Sequence, residues 1–145
     1  MNLPHLVLDK TGEFLFMRRD GSQKIINISA GKVLMSAQLN GTGTAAKVWD
    51  ILPVSAAANL WGNEIYFEIP LQTGPEKPQE VVSLGDIAYW PPGKALCLFF
   101  GPTPVSRGQE IRPYSAVNVV GHLTGDPALL RQVTDGEMVT VSRKE

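Results

Sequence analysis

The side chains equipped for chemistry are few, and they lie mostly in the second half of the chain. Gln109-Glu110-Ile111-Arg112-Pro113-Tyr114 is the most polar stretch beside an apolar motif. Arg112 can grip a ligand carboxylate through two parallel N–H bonds, or it can pin its own loop through Glu110. His122 follows Val119-Val120-Gly121. Paired with Asp126 or Glu110 it would act as a general base; otherwise it is a polar group closing a strand. The single cysteine, Cys97, sits among Leu96, Leu98 and Phe99. A reactive thiolate needs a nearby cation or helix N-terminus, so Cys97 reads as a buried structural thiol. Asn40-Gly41-Thr42-Gly43-Thr44 precedes a helical pattern and can be read as a phosphate cradle or as a turn and N-cap. It lacks the third glycine of the dinucleotide fingerprint and the Lys-Ser/Thr ending of a P-loop. His5, Cys97 and His122 are too scattered for a zinc site. No catalytic residue, metal or cofactor is expected.

Aromatic residues are the other resource. Tyr66, Tyr89, Trp90, Phe99 and Phe100 fall on neighbouring motifs. Period two sends Tyr89 and Trp90 to opposite faces of a strand, so the two cannot share one core face. An aromatic rim beside Arg112 suits a small apolar or peptide ligand. The candidate ligand-binding set is therefore Tyr66, Trp90, Phe100, Glu110, Arg112 and His122.

The elements that position these groups are mostly strands. Turn signals recur at short intervals, with 14 Gly and 11 Pro in 145 residues. Strands are expected over Glu13–Arg19, Lys24–Ile28, Lys32–Leu39, Glu64–Ile69, Ile87–Trp90, Ala95–Phe100, Ala116–Leu123 and Glu137–Arg143. Ala95–Phe100 is apolar on both faces, which places it in the middle of a core. So many short strands predict a closed barrel or a sandwich. Two helices interrupt them. Thr44–Leu52 lines up Ala45, Val48, Trp49 and Leu52 on one face, capped by Thr42 or Thr44 and stopped by Pro53. The second is short, with Asp126 as cap and Pro127 at its first position.

Composition narrows the partners. The formal net charge is −1, so no broad positive field draws nucleic acid or an anionic membrane. No apolar run is long enough to span a bilayer, and Met1–Lys10 lacks the pattern of a signal peptide. A lone cysteine excludes an internal disulfide and fits a reducing, cytoplasmic setting. The length suits a single domain over residues 1–145, able to bury roughly two-thirds of its unfolded surface.

Four motifs carry a resemblance: Trp61-Gly62-Asn63-Glu64-Ile65-Tyr66-Phe67, Gly85-Asp86-Ile87-Ala88-Tyr89-Trp90-Pro91-Pro92-Gly93, Ala95–Pro104 and Val117-Asn118-Val119-Val120-Gly121. Across about residues 12–143 the chain resembles a family of short, uncharacterised prokaryotic cyclophilin-like proteins. The resemblance implies an all-β fold: a closed cyclophilin-like β-barrel with two short helices covering its ends. The prolyl isomerases of that fold carry an arginine in a Phe-His-Arg-like strand and a Gln-x-Gly stretch soon after. The corresponding strand here is Ile65-Tyr66-Phe67-Glu68-Ile69-Pro70, without arginine, and no Gln-x-Gly follows. The expected function is a binding module for a small molecule or a peptide segment, in a groove beside the barrel. A divergent prolyl isomerase that uses Arg112 or Arg107 is one alternative. A homo-oligomeric assembly protein joined through Tyr89–Pro104 is another.

Overall fold

A computed structural model describes residues 24–144, together with the backbone of two strands before them. Those strands, β1 (His5–Leu8) and β2 (Phe14–Met17), form an antiparallel pair of their own. The expected strand Glu13–Arg19 thus has a counterpart in β2, while its flanking residues lie outside the described set. Nine further strands make one antiparallel sheet. They are β3 (Ile25–Ala30), β4 (Val33–Leu39), β5 (Val54–Ala57), β6 (Asn59–Trp61), β7 (Glu64–Glu68), β8 (Asp86–Trp90), β9 (Ala95–Phe99), β10 (Asn118–Leu123) and β11 (Met138–Arg143). Their order is β5-β11-β3-β4-β10-β8-β9-β7-β6. Contacts between β5 and β7 bring the two ends of the sheet together, so the barrel is nearly closed.

Alternation explains the barrel interior. On β3 and β4, residues Ile26, Ile28, Met35 and Ala37 are buried, while their neighbours face outward. Ile65 and Phe67 of β7, Ile87 and Tyr89 of β8, and Leu96 and Leu98 of β9 join the same core. Helix α1 (Gly43–Ile51) lays the fully buried Ala45 and Val48 on this core and packs against β10. The Thr42 hydroxyl caps it by accepting from the Ala45 N–H at 3.1 Å. Trp49, expected on the buried face, is only half-buried, with the Arg143 guanidinium 4.8 Å from its ring centre. The second helix, a 3-10 turn at Pro127–Gln132, is capped by Asp126 and buries Leu130. The two expected helices are therefore both present, one of them short. Among the described residues no helix is long and apolar enough to cross a membrane.

β9 is buried at all five positions, and the reason lies outside the barrel. Its inward residues meet the main core. Its outward residues, Cys97 and Phe99, join Ala88, Val82, Ile111 and Val117 in a second cluster. The chain between β9 and β10 covers that outer face, anchored by isolated bridges from Gln79 to Val117 and from Val82 to Ile111.

Candidate functional site

The site grows from a two-residue hairpin. Trp61 and Glu64 are directly opposed across β6 and β7, joined by Gly62-Asn63. Gly62 has φ +59°, the conformation that the first position of a type II′-like turn demands. A side chain there would also collide with Pro104 at 2.8 Å. Asn63 ties the turn to the segment after β9: its backbone N–H and its side-chain amide both donate to the Pro102 carbonyl, at 3.0 and 3.2 Å.

From this hairpin, period two places Glu64 and Tyr66 on the outer face of β7, opposite Ile65 and Phe67. Tyr66 registers with Cys97 of β9, and Trp90 of β8 lies on the same outer face. The Trp90 ring is held against Gly93, where a Cβ would come within 2.4 Å of it, and its indole N–H donates to Ser115 at 2.7 Å. Tyr114 stands between the two tryptophans, edge-on to Trp61 at 6.0 Å and to Trp90 at 5.9 Å. It is 72% exposed. Trp61, Tyr66, Trp90 and Tyr114 thus wall a cavity of about 270 Å³, closed further by Pro113 and Val117, with Glu64 and Cys97 also lining it.

Glu64 is the anomaly of this cavity. It is 95% buried, since only 5% of it is exposed, and its Oε1 has no hydrogen-bond partner. Burial without a countercharge pushes its carboxyl up to about 7; a hydrogen bond from the Cys97 thiol partly opposes this. Burial and the adjacent Glu64 raise the Cys97 thiol well above its usual range. Cys97 is therefore a protonated donor rather than a thiolate nucleophile.

The six residues expected at a site divide. Tyr66 and Trp90 meet at this cavity. Phe100 is buried in the barrel core. Glu110 and Arg112 satisfy each other, with Arg112 Nε 2.6 Å from Glu110 Oε2, and Glu110 is held below its usual range by that guanidinium. The Arg112 backbone is fixed as well: its N–H donates to Ser106 Oγ at 3.0 Å, and its carbonyl accepts from the Thr103 hydroxyl. This pair shapes the loop that presents Tyr114 but does not line the cavity. His122 is exposed on β10, in register with Gln38 and Asp86, and does not line the cavity.

Trp61, Glu64 and Tyr114 escape a reading by residue type. A legible signal was the spacing Trp61-Gly62-Asn63-Glu64-Ile65-Tyr66, which opposes Trp61 to Glu64 and sets Glu64 on the face of Tyr66. The phosphate cradle at Asn40–Thr44 is filled from within. The Glu76 carboxylate accepts from the Gly43 N–H at 3.1 Å, the Thr44 N–H at 2.7 Å and the Thr44 hydroxyl at 2.6 Å. Among the described residues no three His, Cys, Asp or Glu side chains cluster as metal ligands would.

A nearly closed antiparallel barrel with helices at its ends and an outer wall deepened by a long connection defines a cyclophilin-like architecture. The comparisons agree. The family model described as Cyclophilin-like matches residues 24–142, and the chain belongs to that family. A hypothetical protein of Archaeoglobus fulgidus, known from its solution structure, is 40% identical to this chain with a TM-score of 0.72. That match covers 84% of this chain and 95% of the other. No curated protein matches the chain.

Proposed function

We propose that the protein is a binding module that holds a small ligand in the lateral cavity between the β6–β7 hairpin and the β9–β10 connection. The carrying observation is the enclosure made by Trp61, Tyr66, Trp90 and Tyr114 around a floor with a buried polar group. Small-ligand sites have this composition: concave, mainly aromatic, with few fixed polar atoms. Both walls are tied down, by Asn63 to Pro102 and by Trp90 to Ser115, so the cavity is preformed. We read the chain as one cyclophilin-like unit, working in the cytoplasm.

Binding is favoured over turnover by the character of the lining. Prolyl isomerisation profits from a donor to the prolyl nitrogen. The cavity instead has a carboxyl at its floor, and the guanidinium of Arg112 is engaged by Glu110. The test is a fragment titration followed by NMR, with a proline-isomer-coupled peptide assay beside it. Fragments should shift the indole signals of Trp61 and Trp90, Trp90→Ala should lose those shifts, and peptide turnover should be absent. A broad fragment set that leaves both indoles unmoved would overturn the binding reading. Robust turnover abolished by Arg112→Ala would replace it with the isomerase.

A further inference from the structure

The lateral cavity has a charge character that its aromatic walls alone would not suggest. Glu64 is almost fully buried, its Oε1 meets no protein donor, and four aromatic rings surround it. We infer that the cavity receives an organic ammonium group, a protonated amine whose N–H donates to Glu64 Oε1 while its alkyl carbons lie among Trp61, Tyr66, Trp90 and Tyr114. This inference rests on the reading of the cavity as a ligand site and specifies what that site takes.

Each ligand class would leave a different group in the cavity unsatisfied. Oε1 is already shielded from water, so a purely apolar ligand would leave this buried acceptor without a partner, which is costly. An anion would meet a carboxylate and no compensating cation, since no lysine, arginine or histidine lines the cavity. A metal ion would need three or four ligands, and no such cluster exists among the described residues. A quaternary ammonium matches the rings but has no N–H for Oε1. A protonated amine satisfies both features, because aromatic rings attract cations and the desolvated carboxylate supplies the countercharge. The volume of about 270 Å³ admits a short alkylamine or the end of a lysine side chain.

The groups facing Glu64 make its ionisation responsive to such a ligand. Cys97 faces it from β9, Tyr66 from its own strand, Trp61 from β6, Trp90 from β8, and Pro113, Tyr114 and Val117 from the β9–β10 connection. None of these is a cation. In the free protein the carboxyl titrates at about 7 because of burial. An ammonium ligand therefore binds the ionised form and, at lower pH, must first displace a proton. Its affinity should rise with pH and level off, about tenfold tighter at pH 8 than at pH 6.

The experiment is an NMR titration of the full chain with four probes: butylammonium, butanol, tetramethylammonium and the amide of Nα-acetyl-lysine. Trp61 and Trp90 indole shifts report occupancy, each titration is run at pH 6 and pH 8, and a thermal melt verifies the fold of Glu64→Gln. Butylammonium should bind at least about tenfold tighter than tetramethylammonium, which has no N–H to donate, and than butanol, whose O–H donates without the charge that strengthens the bond. Glu64→Gln should lose that preference. Tighter binding of the acetyl-lysine amide than of butylammonium would identify the source as a lysine side chain, and the reverse as a free amine. Butanol or an anionic fragment binding as well as butylammonium, or butylammonium affinity that is flat between the two pH values, would overturn the ammonium inference while leaving the ligand-site reading intact. Indoles unmoved by these probes and by the broader fragment set would overturn both. Because the pH comparison uses the wild-type chain, the inference stays testable even if Glu64→Gln fails to fold.

Discussion

The two faces of β7, β8 and β9 are made from alternate residues of the same strands, and they are finished very differently. The inner face presents Ile65, Phe67, Ile87, Tyr89, Leu96 and Leu98, each at most 1% exposed. Its one polar group is satisfied, since the Tyr89 hydroxyl donates to the Leu71 carbonyl at 2.6 Å. The outer face presents Glu64, Tyr66, Trp90 and Cys97, and it leaves Glu64 Oε1 without a partner. Strands cover the inner face; a connection without regular secondary structure covers much of the outer one. Apolar closure holds the barrel together, whereas incomplete polar satisfaction sets apart the face at which we propose that a ligand binds.

Four substitutions or titrations test that contrast, beginning with the inner face. Phe67→Ala should cost about 3–5 kcal/mol in chemical denaturation, because a fully buried ring leaves a cavity in a closed core. A loss below about 1 kcal/mol would mean that the inner face is not the stabilising one. The outer face should instead show a pH signature. Glu64 titrates at about 7 when folded and at 4.5 otherwise, so between those values the native state holds more protons than the unfolded chain. Its contribution is therefore fully present below pH 4.5 and falls as pH rises to about 7, by about 3 kcal/mol. Glu64→Gln should remove that slope in denaturation curves collected across the window; an unchanged slope would assign it elsewhere.

Trp49→Ala should cost less than Phe67→Ala, about 1–2 kcal/mol, since its ring is half-buried at the edge of the core. A loss equal to that of Phe67→Ala would place Trp49 with the inner face. The smallest global effect belongs to Arg112→Ala. It should leave the melting midpoint nearly unchanged yet speed labelling of Cys97 by a thiol reagent, because the Glu110–Arg112 pair shapes the connection over the outer cluster. In the wild type, Cys97 should label only as that cover opens. Fast stoichiometric labelling of the folded wild type would show that the thiol is reached through the cavity without opening of its cover.

Much of the barrel was legible because its signals are local. Period two, paired turn residues and the Thr42 and Asp126 caps each act within a few residues. The two-face apolarity of β9 announced a second core without saying what would cover it. β5 and β6 were not legible: Val54–Ala57 and Asn59–Trp61 are short and carry little apolar alternation, and only pairing with β11 and β7 makes them strands. The site was half legible. Tyr66 and Trp90 are aromatic and stand on strong strands. Glu64 looks like an ordinary surface acid, and its burial depends on Pro113, Tyr114 and Val117, some fifty residues away in sequence. Arg112 looked free because sequence alone does not decide between a ligand and Glu110.

The Glu76 carboxylate at the start of α1 is, in effect, a ligand already supplied by the chain. Being tethered, it competes at an effective concentration on the order of millimolar, without diffusing away. Three hydrogen bonds hold its carboxyl below the usual range, so it stays charged to lower pH than an ordinary glutamate. A free phosphate would have to evict this resident before reaching the Gly43 and Thr44 amides. The start of α1 is therefore self-occupied, and its binding capacity goes into fastening the Thr73–Pro78 loop to the helix.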